Sequence, residues 1–166
     1  MLAVLTVTVG VVASSAGPAA AAQYQPDAMV KFGNGPYVTN GYYTTNPIDQ
    51  QNEGGVGAGG GLMLYKIKVQ NDGTKRDRLI VKSTNHPAYN EKYLKGTKNV
   101  TAEVWSAEGF KTRKLETNEF VVLRLRVKIP QDAPLGPGGI SVKAESKNAP
   151  DVDEDAIRAR IEIVDV

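Results

Sequence analysis

The chain has 166 residues, with 20 basic and 18 acidic side chains for a formal charge of +2, 41% hydrophobic residues and no cysteine. So even a balance implies no polyanion partner by itself, and the missing cysteines exclude disulfides and thiolate chemistry, leaving stability to packing alone. One histidine, His86, leaves little from which to assemble a catalytic constellation.

Met1 to Val12 is an apolar run, and Ala13 to Ala22 is built largely of small residues ahead of Gln23, the pattern of a secretory leader over residues 1–22. No Lys or Arg precedes Lys31, so the basic start of such a leader would have to lie upstream of Met1. An apolar core of about a dozen residues falls short of the roughly 20 that span a bilayer, so no membrane span is expected after cleavage. The remainder has the size of one domain, and its lack of cysteine suits a secreted or envelope protein of a bacterium.

Residues 23–61 are rich in Tyr, Gly, Asn and Pro and read as a loop-rich apron, with an edge strand over residues 28–33. Gly54 to Gly61 reads as a flexible linker, because glycine loses the most conformational freedom on ordering. It lacks the spacing of a phosphate-binding loop.

The folded core is expected over residues 62–166. Leu62 to Gln70 alternates Met63, Tyr65, Ile67 and Val69 against Leu64, Lys66, Lys68 and Gln70, the period of a half-buried strand. Leu79 to Thr84 follows, then a weaker strand over Val100 to Trp105. From Phe120 to Ile129, Val121, Leu123, Leu125, Val127 and Ile129 alternate with Val122, Arg124, Arg126 and Lys128. Pro130 and the turn residues after it end that ladder. Ile140 to Ser146 and Ile157 to Val164 complete about seven strands without a helix-period segment. The fold class is therefore all-β, an immunoglobulin-like antiparallel β-sandwich.

Val69-Gln70-Asn71-Asp72-Gly73, then Leu115 before the polar Glu116 to Glu119 turn, then a long alternating strand closing in Ile129-Pro130 with Ala133 and Gly136, resembles the bacterial immunoglobulin-like modules grouped as cell-adhesion-related domains. The resemblance covers roughly residues 62–164 and implies an extracytoplasmic spacer or adhesion module.

Chemistry is thinly represented. His86 precedes Pro87 in a turn with no G-x-S-x-G elbow, and no spacing marks a carboxylate pair, so an enzyme is not expected. Asp151, Asp153 and Asp155 with Glu162 at the twelfth position match part of a calcium loop, against which Ala156 stands where the sharp turn needs glycine. The competing reading is a solvated acidic turn. Asn99-Val100-Thr101 has the form of a glycosylation sequon and is read as chance in a bacterial protein.

Tyr24, Tyr37, Tyr42 and Tyr43 would form an aromatic surface for sugar or peptide, or cover an open end of the sandwich. If Leu62–Gln70 and Phe120–Ile129 are neighbouring strands, Lys66, Lys68, Arg124, Arg126 and Lys128 share one outward face, partly offset by Glu103. The opposite sheet reads as charge-mixed. A basic face suits a cell-wall polyanion, an acidic polysaccharide or an acidic protein surface. Nucleic acid is not expected, because the strands offer no outward aromatic for base stacking. The function these features favour is a secreted, non-enzymatic interaction or structural module. The alternative is a small carbohydrate- or calcium-dependent binding module using the tyrosines or the acidic turn.

Overall fold

The structure is a computed structural model, which describes residues 22–38, 40–52, 54–57, 59–150 and 153–165. Apart from Ala22, the expected leader lies outside the described residues. The strands are β1 (Pro26–Phe32), β2 (Gly55–Gly57), β3 (Leu62–Asn71), β4 (Leu79–Ser83), β5 (Asn90–Lys95), β6 (Lys98–Asn99), β7 (Phe110–Lys111), β8 (Phe120–Lys128), β9 (Gly136–Ser146) and β10 (Glu154–Ile163), with one short helix, α1 (Thr101–Trp105), before β7. They form two five-stranded sheets of order β1-β3-β8-β5-β6 and β2-β10-β9-β4-β7. Pairing is antiparallel except where β2 runs parallel to β10. The chain is an all-β sandwich of immunoglobulin-like build.

Seven of the strands are five residues or longer. Six of them coincide with expected strands, and the seventh is β5 rather than Val100 to Trp105. The latter is α1, because Thr101 and Val104, three residues apart, are the pair it buries, a helical spacing. Asn99 starts the turn by accepting from the Thr101 backbone N–H at 3.1 Å. The glycine-rich linker is also corrected in part: Gly55 to Gly57 pairs with Ile161 to Ile163 as an edge strand.

Alternation in β3 and β8 places Met63, Tyr65, Ile67, Val69, Val121, Leu123, Leu125 and Val127 between the sheets. Opposite them lie Leu79, Val81, Ile140, Val142, Ile157, Ala159 and Ile161. Each large aliphatic side chain buried this way contributes about 1.5–3 kcal/mol of transfer free energy. Tyr65 adds a polar tie across the layers, its hydroxyl donating to the Arg160 carbonyl at 2.6 Å. Buried Tyr89 passes close over β9 at Gly138, where any β-carbon would collide with the tyrosine hydroxyl.

The segment between β1 and β2 crosses the open side of the sandwich. Val38 donates to the Val30 carbonyl on the outer edge of β1 at 3.1 Å. From β10, Asp155 accepts from the Ala28 N–H at 2.7 Å, the Thr44 N–H at 3.0 Å and the Gln50 side-chain amide at 2.5 Å. Asp155 thus joins both sheets and the apron through one carboxylate.

Candidate functional site

Strand register assembles the basic face. Lys66 pairs with Arg124, Leu64 with Arg126, Leu62 with Lys128 and Lys68 with Val122. The neighbouring strands extend it with two cations that sequence reasoning did not assign: Lys31 pairs with Lys66, and Lys92 with Arg126. Lys31 was legible in the expected edge strand. Lys92 was hidden because β5 carries a polar residue, Glu91, at an inward position.

Lys31, Lys66 and Arg124 therefore stand side by side on three adjacent strands, with Arg126 and Lys92 in the next row. Directly opposed like charges destabilise a sheet. None of Lys31, Lys66, Lys68, Lys92, Arg124, Arg126 and Lys128 forms an ion pair among the described residues. Arg124 reaches the Gly96 carbonyl, Lys31 lies 4.8 Å from the Tyr37 ring centroid, and Lys68 lies 4.7 Å from that of Phe120. Phe120 is an outward aromatic, contrary to the expectation that these strands carry none; at the first position of β8 its side chain continues the outward set of Val122 and Arg124.

The outward side of the second sheet is handled differently. Lys82 and Lys143, opposed across β4 and β9, share Glu145 at 2.7 and 3.2 Å, Lys143 also meets Glu154, and Arg160 approaches Glu162 at 3.9 Å. At a rim turn Arg113 clasps Glu119, holding that carboxyl down at about 2. Glu103, expected to offset the basic face, lies on α1 and pairs with Lys98 at 2.9 Å.

The tyrosines divide between the ends of β1. Residues 22–25 run beside the β3–β4 turn, with Thr74 donating to Ala22 and Lys75 to Gln23, which places Tyr24 there. Tyr43 reaches the same turn, its hydroxyl donating to Asp72 at 2.8 Å. Tyr42 is exposed beside it. Tyr37 follows the far end of β1.

Of the acidic group, Asp151 lies outside the described residues. Asp155 is fully buried on β10, with its oxygens occupied by the three donors above. Glu162 lies seven positions further along the extended strand, roughly 23 Å away. Asp155 and Asp72 instead both act on Asp27 across the apron, an arrangement that local sequence pattern could not reveal. Burial pushes Asp27 up to about 7, with Asp72 and Asp155 adding to the shift, and burial pushes Asp155 up to about 6. Asp27 accepts from the Gly41 N–H at 3.0 Å, while its other oxygen is buried without a hydrogen-bond partner. Among the described residues no group of three or more His, Cys, Asp or Glu side chains is arranged to hold a metal ion.

His86 stacks on Tyr89 with ring centroids 4.6 Å apart, and its backbone N–H donates to Glu91. Glu91 also accepts from the Tyr93 hydroxyl at 3.1 Å, and that hydroxyl lies 2.9 Å from Ser83. These contacts make a buried brace between the sheets rather than a triad: the Ser83 hydroxyl donates to the Ser141 carbonyl and meets Tyr93, not His86.

No protein-family model matches this chain, and no curated protein does. Among solved structures it is similar to part of a family 123 glycoside hydrolase from Clostridium perfringens, at 12% identity and a TM-score of 0.44, covering 67% of this chain and 22% of that one. The N-terminal domain of PorA gives 13% identity and a TM-score of 0.49 over 82% of this chain and 96% of that one. An ASH/PapD-like domain of human CEP192 gives 11% identity and 0.40 over 98% of each. The chain thus spans about a fifth of the hydrolase and nearly all of the other two. No helix among the described residues is long and apolar enough to cross a membrane.

Proposed function

We propose that this chain is a secreted or envelope interaction module without catalytic activity, which contacts an anionic partner through the outward face of the β1-β3-β8-β5 sheet. One observation carries the reading: seven cations share that face without an ion pair among the described residues, whereas on the outward side of the second sheet Lys82, Lys143 and Arg160 meet acids and only Arg158 and Lys111 do not. Opposed like charges cost the sheet stability, so a face that keeps them is explained by a partner that supplies the missing negative charge. A wall polyanion, an acidic polysaccharide or an acidic protein surface each offers it. The small-residue leader pattern of residues 1–22 supports an extracytoplasmic setting.

Retention on immobilised polyphosphate tests this. The unaltered protein is expected to elute at a salt concentration well above physiological, and Arg124→Glu with Arg126→Glu should weaken binding about 10- to 100-fold, given roughly 1 kcal/mol per cation near an anionic surface. Lys114→Glu with Lys147→Glu changes net charge equally at exposed positions off the face and should have little effect. Equal losses in the two double variants would sink the assignment.

A further inference from the structure

The basic face carries hydrocarbon among its cations. Leu62 and Leu64, 52% and 50% exposed, project outward on β3 opposite Lys128 and Arg126, and Phe120, 51% exposed, marks the far end of β8. A groove of about 510 Å³ runs past both leucines, bordered by Lys66, Arg124 and Arg126. A second, of about 520 Å³, continues from Leu62 and Arg126 to Lys92 and Lys128.

Two physical points select an occupant. A fully polar polyanion gains nothing from exposed leucines, whereas a partner with acyl chains beneath its charges gains from cations and leucines together. The cations are also spread over a plane. Lys31, Lys66 and Arg124 cross three strands at about 4.8 Å per strand, and Arg124, Arg126 and Lys128 follow β8 at roughly 6.7 Å per pair of residues. A linear polymer meets one such line at a time, but a layer of headgroups meets all of them. Lysine and arginine stems can lie along hydrocarbon while their charged ends stay at phosphate level.

We infer that the partner is an anionic lipid surface, met with the cations at the phosphates and with Leu62 and Leu64 entering the headgroup–acyl boundary. This rests on the reading of the basic face as the contact surface.

The test uses the full chain with two probes, immobilised polyphosphate and phosphatidylcholine vesicles with or without phosphatidylglycerol. Binding is expected to phosphatidylglycerol vesicles and not to phosphatidylcholine alone. Leu62→Ser with Leu64→Ser should lower vesicle affinity at least about tenfold through lost apolar burial, while retention on polyphosphate stays unchanged, which also reports an intact fold. Arg124→Glu with Arg126→Glu should lose both. Unchanged vesicle affinity in the leucine variant, or polyphosphate binding without vesicle binding, overturns the lipid assignment and leaves the basic-face reading standing. Failure of the unaltered protein on both probes overturns both.

Discussion

Replacing Asp155 by alanine is expected to lower the unfolding free energy by about 3–5 kcal/mol, because a buried acceptor is removed while its donors stay. The Ala28 and Thr44 N–H groups and the Gln50 amide would all lose the oxygens they now meet. Each buried donor left without a partner costs about 1–3 kcal/mol. Asp155→Asn should fall between, since one carbonyl oxygen remains but the new amide opposes a donor. Asp153→Ala, two positions away and half-buried, should change stability by less than about 0.5 kcal/mol. Urea denaturation of the three variants measures this, and a loss below about 1 kcal/mol for Asp155→Ala would show that the carboxylate does not hold the apron.

Stability should fall as pH rises from 4 to 8. In the unfolded chain Asp27 and Asp155 titrate near 3.8, whereas in the folded protein burial raises them to about 7 and about 6. Between those limits the folded state binds more protons than the unfolded one. This contribution is therefore complete below about pH 4 and is lost as pH passes the folded values. A loss of about 2–4 kcal/mol is expected, reduced from the full linkage value because the cluster sits at the rim of the sandwich. The groups facing Asp27 are Asp72, Asp155 and Tyr43, all of which disfavour its ionised form or are disfavoured by it. Glu119, held down at about 2, acts in the opposite sense and only at more acid pH. Asp27→Asn keeps an oxygen for the Gly41 N–H and puts a permanent donor toward Asp72, so it should flatten the profile and raise the midpoint at pH 8. A thermal midpoint at pH 8 equal to or above that at pH 5 in the unaltered protein would contradict the scheme.

The readability of this chain followed the range of the interactions involved. Over Met63–Val69, Val121–Val127, Ile140–Ala144 and Ile157–Ile163 every second residue is apolar and buried, so period-2 alternation names both strand and face. β5 escaped because Glu91 fills an inward position, made tolerable by the His86 N–H and the Tyr93 hydroxyl. Alternating apolar residues at Val100, Ala102 and Val104 read as a strand, yet Thr101 and Val104 are what the helix buries. β2, Gly55 to Gly57, pairs parallel to Ile161 to Ile163, and a glycine-rich sequence carries no period-2 signal for such a strand. For the basic face, alternation gave five of the cations, and the neighbouring strands had to be in place to add Lys31 and Lys92. Asp27 and Asp155 are 128 positions apart in the sequence, and each owes its environment to a loop whose path no local rule sets.

A sheet can recruit further strands wherever its last strand leaves backbone groups open. In this sandwich three of the four terminal strands, β2, β6 and β7, are two or three residues long, too short to template a stable partner. β1, at seven residues, is the exception, and the Asp155 carboxylate and Val38 occupy its open side at Ala28 and Val30. The apron, with Asp155, thus covers the one sheet edge long enough to pair with a second copy. Cutting it by limited proteolysis between Tyr42 and Gln50 should yield a chain that self-associates in a concentration-dependent way, readable by light scattering, with Asp155→Ala tending the same way uncut.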